Sequence, residues 1–145
     1  MEPQTLLSGR WEHFPHGADI GVRGIAPTLA GAFEQAALAL TAIVIDPADL
    51  DGDEQVEIDC EAPDAELLLV DWLNAIVYEM ATRRLIFGRF EVETDGNRLR
   101  AKAFGRPMDA DQLELAVEPK GATYTALSVA RGEDGVWTAQ CVVDV

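Results

Sequence analysis

Basic charge is what this chain has least of. Its 145 residues carry 26 Asp and Glu against 11 Lys and Arg, a formal net charge of −15, and its only lysines are Lys102 and Lys120. Proteins that grip nucleic acid leave a basic footprint, because much of their affinity comes from neutralised phosphates. Strong direct binding to RNA or DNA is therefore not expected. Cysteine is as scarce as lysine. Cys60 and Cys141 each sit at an alternating position of a strand-like run, which fits two small buried hydrophobes better than a disulfide. No CxxC or Cys/His cluster suggests zinc. No segment approaches the ~18 consecutive apolar residues of a membrane span, and the opening MEPQTLLSGRWEH lacks the regions of a secretory signal. These absences predict a cytoplasmic protein without membrane attachment. Histidine is confined to His13 and His16, and GxSxG, P-loop, HExxH and kinase signatures are all missing.

What is present reads as one globular domain over residues 1–145, with 48% hydrophobic residues, enough for a single core. Residues 10–14 and 20–25 predict two short strands around a His-Gly-Ala-Asp turn. Thr28 is placed to cap a helix whose Leu29, Phe33, Ala36, Ala37, Leu40 and Val44 recur at helical spacing. The acidic stretch DPADLDGDEQ (46–55) lacks the spacing and distal glutamate of an EF-hand, so it reads as a solvated loop. QVEIDCEA alternates as a half-buried strand.

Residues 63–84 predict the longest helix, started by Pro63 and Asp64, with acids in its first turn and Arg83 and Arg84 at its end, in the sense the helix dipole favours. It is apolar over most of its circumference, so it should be packed on more than one side. Asp64, Asp71, Glu79 and Thr82 form a narrow polar strip with Asn74 at its edge. Asp-Gly-Asn (95–97) between two alternating runs signals a hairpin. DQLELAVEP, ATYTALSVA and GVWTAQCVVDV follow as further strands, with RGEDG as a turn before the last. Helices set among hairpin-connected strands predict an α+β fold, a largely antiparallel sheet covered by two helices.

The last strand places Trp137, Ala139, Cys141, Val143 and Val145 on one face and Thr138, Gln140 and Asp144 on the other. A carboxyl terminus at Val145 beside Asp144 brings two negative groups together, which repel unless a cation lies between them. If Asp19 of the first hairpin joins them, a hard oxygen site results, suited to calcium, magnesium or manganese. The residues alone leave Asp19 open as a turn residue, a catalytic acid or a metal ligand.

HGADIGVRG, TLAGAFEQAALAL, LLLVDWLNAIVYEM, AFGRPMD, KGATYTALSV and a final VVDV occur in this order. Over essentially its whole length the chain resembles the archease family in these blocks, above all in Asp-Trp-Leu-Asn and the Asp-Val end. The resemblance implies the archease fold and a protein cofactor, not a stand-alone enzyme: an activator of the RtcB-type tRNA-splicing RNA ligase that promotes guanylylation and multiple turnover and broadens nucleotide use. It also implies a divalent cation, calcium in the first instance, on Asp19, Asp144 and Val145. His16, Asp71 and Lys120 are candidates for supporting that site or for contacting the ligase. The chain departs from the family pattern at Gly17, where threonine is common, in lacking a histidine after Met108-Asp109, and in Pro119 and Gly121 flanking Lys120. Two other classes compete with this reading: a chaperone-like interaction module with an acidic surface, and an independent metal-dependent hydrolase using Asp19 and His16.

Overall fold

The computed structural model describes residues 9–109 and 117–145. The first hairpin joins β1 (Arg10–His16) to β2 (Asp19–Ala26), with Gly17 at φ +60, a left-handed position that glycine takes without steric cost. α1 (Leu29–Val44) starts where Thr28 Oγ1 accepts the Gly31 N–H at 3.0 Å. In the acidic loop, Asp46 caps a short 3-10 turn (Pro47–Asp49) by accepting the Ala48 N–H, so this carboxylate serves the backbone. β3 (Glu54–Glu61) leads to α2 (Ala65–Arg83), capped by Asp64 Oδ1 on the Leu67 N–H at 2.8 Å. β4 (Leu85–Asp95) and β5 (Arg98–Pro107) form the hairpin around Gly96 and Asn97. β6 (Gly121–Ala122), β7 (Ser128–Arg131) and β8 (Trp137–Asp144) complete the order.

Among the described residues all strand pairings are antiparallel and the α-helices number two, so the fold is α+β as expected. The strands are shared between two sheets. One runs β1-β2-β8-β6, with β7 also on β8; the other is β3-β5-β4. The stretch expected as one strand, ATYTALSVA, is divided between β6 and β7. The regular pairing ends at Thr123: its N–H and its hydroxyl both donate to the Val142 carbonyl, at 2.9 and 2.8 Å, the hydroxyl also accepts the Thr125 N–H, and the Val142 N–H goes to the Thr125 carbonyl. A turn follows with Ala126 at φ +54, and Gln140 Nε2 donates to the Ala126 carbonyl. Of DQLELAVEP, residues 111–116 lie outside the described residues and 117–119 are not in a strand.

α1 lies between the sheets, packed on β2 and on β4. Small residues make this possible: Ala32, Ala36, Ala37 and Ala39 are fully buried with Phe33 and Leu40, and a Cβ on Gly24 would collide with the backbone at Ala32 and Ala36. Two polar contacts fix α1 to β4. Thr41, buried completely, donates to the Phe87 carbonyl at 2.6 Å, and Glu34 accepts the Val92 N–H at 2.8 Å. α2 docks on α1 through Trp72, whose Nε1–H donates to the Phe33 carbonyl at 3.0 Å. Each such bond adds about 1 kcal/mol net, and each fully buried large side chain about 1.5–3 kcal/mol. Hydrophobic burial dominates, and the hydrogen bonds set the orientation.

Candidate functional site

The face of the five-stranded sheet turned toward α1 is apolar: Val22, Ala139, Cys141 and Val143 are fully buried there. Alternation puts their neighbours on the opposite face, where side chains line up in rows across β1, β2 and β8. Glu12, Arg23 and Gln140 form one row, with Arg23 donating to Glu12 at 2.5 Å and to Gln140 at 2.8 Å. In the next, Phe14 covers Gly21 beside Val142. The last row lies at the rim. His16 is opposite Asp19, and one step beyond the Ile20–Val143 pair stand Asp19 and Asp144. Cross-strand neighbours on one face have Cβ atoms about 5 Å apart.

The first hairpin and the end of β8, expected to meet, do meet. Asp19 Oδ1 accepts the Val145 N–H at 3.3 Å, and Lys120 N–H donates to the Asp144 carbonyl at 2.7 Å. Asp19 is half-buried, whereas His16, Lys120 and Asp144 are exposed. Neither Asp19 nor Asp144 forms an ion pair among the described residues. Asp71 lies elsewhere, exposed on α2, and its charge helps raise the pKa of Cys60 on β3. The residue of that helix that does reach the strand end is Asn74, through the Ala122 N–H at 2.8 Å. Sequence reasoning placed Asn74 only at the edge of a polar strip, because its partner is 48 residues away in the chain.

Among the described residues, no three His, Cys, Asp or Glu side chains gather to hold a metal by themselves. The residues at the rim that could hold one are Asp19 and Asp144, next to each other by register, with the main-chain oxygen of Val145. That donor set is all oxygen, without soft sulfur, and matches a hard divalent cation whose remaining positions are filled by water or a partner. The fit is therefore to a three-donor, incompletely enclosed site.

Both cysteines are free and buried, as expected. Burial pushes the Cys141 thiol up to about 12 and the Cys60 thiol to about 11, so neither is a nucleophile at neutral pH.

Charge on the other sheet is arranged differently. Its exposed face carries three rows in which a cation of β5 stands between acids of β3 and β4: Glu57–Lys102–Glu91, Asp59–Arg100–Glu93 and Glu61–Arg98–Asp95. Arg98 bonds both Asp59 oxygens at 3.2 Å.

Residues 11–145 match the Archease protein family (MTH1598/TM1083). The chain belongs to the archease family. Protein archease from Pyrococcus furiosus is 38% identical over 140 residues, covering 94% of this chain and 99% of that protein. The archease of Thermococcus gammatolerans is 39% identical over the same length and shares. The solution structure of Methanobacterium thermoautotrophicum protein 1598 superposes with a TM-score of 0.81 at 27% identity, covering 93% of this chain and 98% of that one. An archease from Thermotoga maritima, described as a possible chaperone, has a TM-score of 0.58 at 18% identity, covering 92% and 96%, and supports the fold alone. Among the described residues of this archease, no helix is long and apolar enough to cross a membrane.

Proposed function

We propose that this archease is an accessory protein of an RtcB-type RNA ligase and acts through a divalent cation held at the rim by Asp19, Asp144 and the main-chain oxygen of Val145. The observation that carries the reading is the hydrogen bond from the Val145 N–H to Asp19 Oδ1, which ties the end of β8 to the first hairpin, where neither Asp19 nor Asp144 has an ion-pair partner among the described residues. When bound, the ion supplies positive charge suited to nucleotide phosphates. Asp19 does two things at once: one carboxylate oxygen anchors the end of β8 through the Val145 N–H, and the other is left for a ligand. Asp144, held by the Lys120 amide through its own carbonyl, presents its side chain on the same face. His16 and Lys120 flank the rim on the two outer sides, placed to meet a docking partner. The net charge of −15 favours a cation and a protein partner over direct contact with RNA.

The test is RNA joining by the cognate ligase at limiting enzyme, with and without this protein. Product in excess of one turnover per ligase only when the protein is present supports the activator reading. Unchanged turnover removes it. Suppressed aggregation of unrelated unfolded proteins, without preference for the ligase, would instead support the chaperone-like alternative. Turnover of a substrate by this protein alone would support the hydrolase alternative.

A further inference from the structure

The Asp-Trp-Leu-Asn block of α2 is not explained by a cation held on β2 and β8. Its side chains divide by direction. Trp72 and Leu73 are fully buried and dock the helix, and Asp71 is exposed. Asn74 points at β6 instead, where its Oδ1 accepts the Ala122 N–H at 2.8 Å. Ala122 is opposite Val143, Gly121 is opposite Asp144, and Lys120 N–H reaches the Asp144 carbonyl at 2.7 Å. β6 is only two residues long. So short a strand has little persistence of its own, and an anchored helix bonded to it gives it a fixed position. The approach is close: a Cβ on Gly121 would stand 3.1 Å from Asn74 Oδ1.

We propose that Asn74 is a positioning residue for the Asp19–Asp144–Val145 site, holding β6 against the end of β8 and thereby setting where Asp144 and Val145 stand relative to Asp19. Its functional meaning rests on the cation reading above; its structural part does not. Asparagine suits the task because it is a neutral acceptor, whereas aspartate would add a negative charge near two carboxylates.

The experiment is amide hydrogen exchange by NMR on the full chain without added metal, followed by a terbium titration of the same samples. Asn74→Ala should speed exchange of the Ala122 and Lys120 amides on the order of fivefold and leave the β4–β5 ladder unchanged. Asn74→Asp, which keeps the acceptor, should restore protection. Terbium should bind Asn74→Ala about tenfold more weakly than wild type, as for loss of a group that orients a ligand. Thr41→Val, which removes the buried bond between α1 and β4 and none of the β6–β8 contacts, should lower the melting temperature and leave terbium affinity alone. If Asn74→Ala does not fold, Gly121→Ala strains the same contact from the strand side and is read at the same amides. Wild-type protection of both amides in the variant overturns the proposal, as does terbium affinity equal to that of wild type where the wild type binds. If the wild type binds no terbium while protection is lost in Asn74→Ala and regained in Asn74→Asp, the cation reading falls and the positioning of Asp144 stands.

Discussion

The two sheets handle negative charge in opposite ways. On the three-stranded sheet every acid of β3 and β4 in the exposed rows faces an arginine or lysine of the central strand, so six carboxylates are interleaved with Arg98, Arg100 and Lys102. On the five-stranded sheet the one internal cation, Arg23, is taken by Glu12 and Gln140, and the rim pair Asp19 and Asp144 has no such partner among the described residues. A row of charged side chains on each edge strand of a small sheet discourages a further strand from adding there. Like charges placed side by side do nothing for stability and raise the cost of the folded state. The difference separates a surface on which charges are balanced from one that keeps a liability, and the proposed cation site lies at that liability.

Neutralising one carboxylate on each sheet tests this most sharply. Asp19→Asn keeps an oxygen to accept the Val145 N–H but removes the charge. It should weaken terbium or calcium binding on the order of 100-fold, more than is typical for loss of an outer-sphere partner, and abolish ligase activation while the circular dichroism spectrum is unchanged. Asp59→Asn removes the partner of Arg98 at a fully exposed position. It should leave cation affinity, activation and the thermal midpoint at their wild-type values. Equal losses in the two variants would mean that the acidic rows act as a diffuse field and that the rim is no special site.

Much of the architecture could be read from local pattern. Thr28 and Asp64 cap the helices they were expected to start, and Asp-Gly-Asn turns the β4–β5 hairpin, because caps and tight turns are decided by side chains within a few residues. The division into two sheets was not legible, since pairing β3 with β5 or β2 with β8 depends on contacts across long stretches of chain. ATYTALSVA has strand-forming residues throughout, yet the regular ladder ends at Thr123, whose N–H and hydroxyl both donate to the Val142 carbonyl, while the Val142 N–H skips ahead to the Thr125 carbonyl. Pattern alone left Asp19 with three readings, and only the family resemblance selected one. Asn74 was out of reach for the same reason as the sheets: its partner becomes a neighbour only after β6 is laid on β8.

A smaller effect should separate two glutamates by pH. Burial raises the pKa of Glu34, with Glu91 adding to it and the Val92 N–H opposing; Glu12 is held low by Arg10 and then Arg23. For Glu34 the charged form is the disfavoured one in the folded state. Its penalty is absent below the unfolded carboxylate pKa and develops as pH rises through the higher folded value. For Glu12 the sign reverses: its stabilisation is present above the unfolded pKa and is lost as pH falls through the depressed folded value. Glu34→Gln, which can still accept from Val92, should therefore raise the thermal midpoint at pH 7, and Glu12→Gln should lower it. Each change should be worth about 1 kcal/mol or less because both sites are partly solvated, and both differences should close as the pH is taken below the glutamate range.

The least disruptive comparison uses the two cysteines, one in each sheet. Among the described residues, Cys60 lies on β3, an edge strand paired with β5 alone, while Cys141 lies on β8 between β2 and the β6–β7 side. With thiols pushed up to about 11 and about 12, native labelling by a thiol reagent at neutral pH should be negligible at both. Under mild denaturant, local opening should expose Cys60 first, because an edge strand has fewer bonds to break. Peptide-resolved mass spectrometry of the labelled chain gives the order directly. Calcium should then slow labelling of Cys141 and leave the early labelling of Cys60 unchanged, since a ligand stabilises only the openings that release it. Equal protection of both thiols by calcium would show that the sheets open as one unit, and the asymmetry between them would then be one of charge alone. Protection confined to Cys141 would locate the binding energy in the strand that ends at Asp144 and Val145.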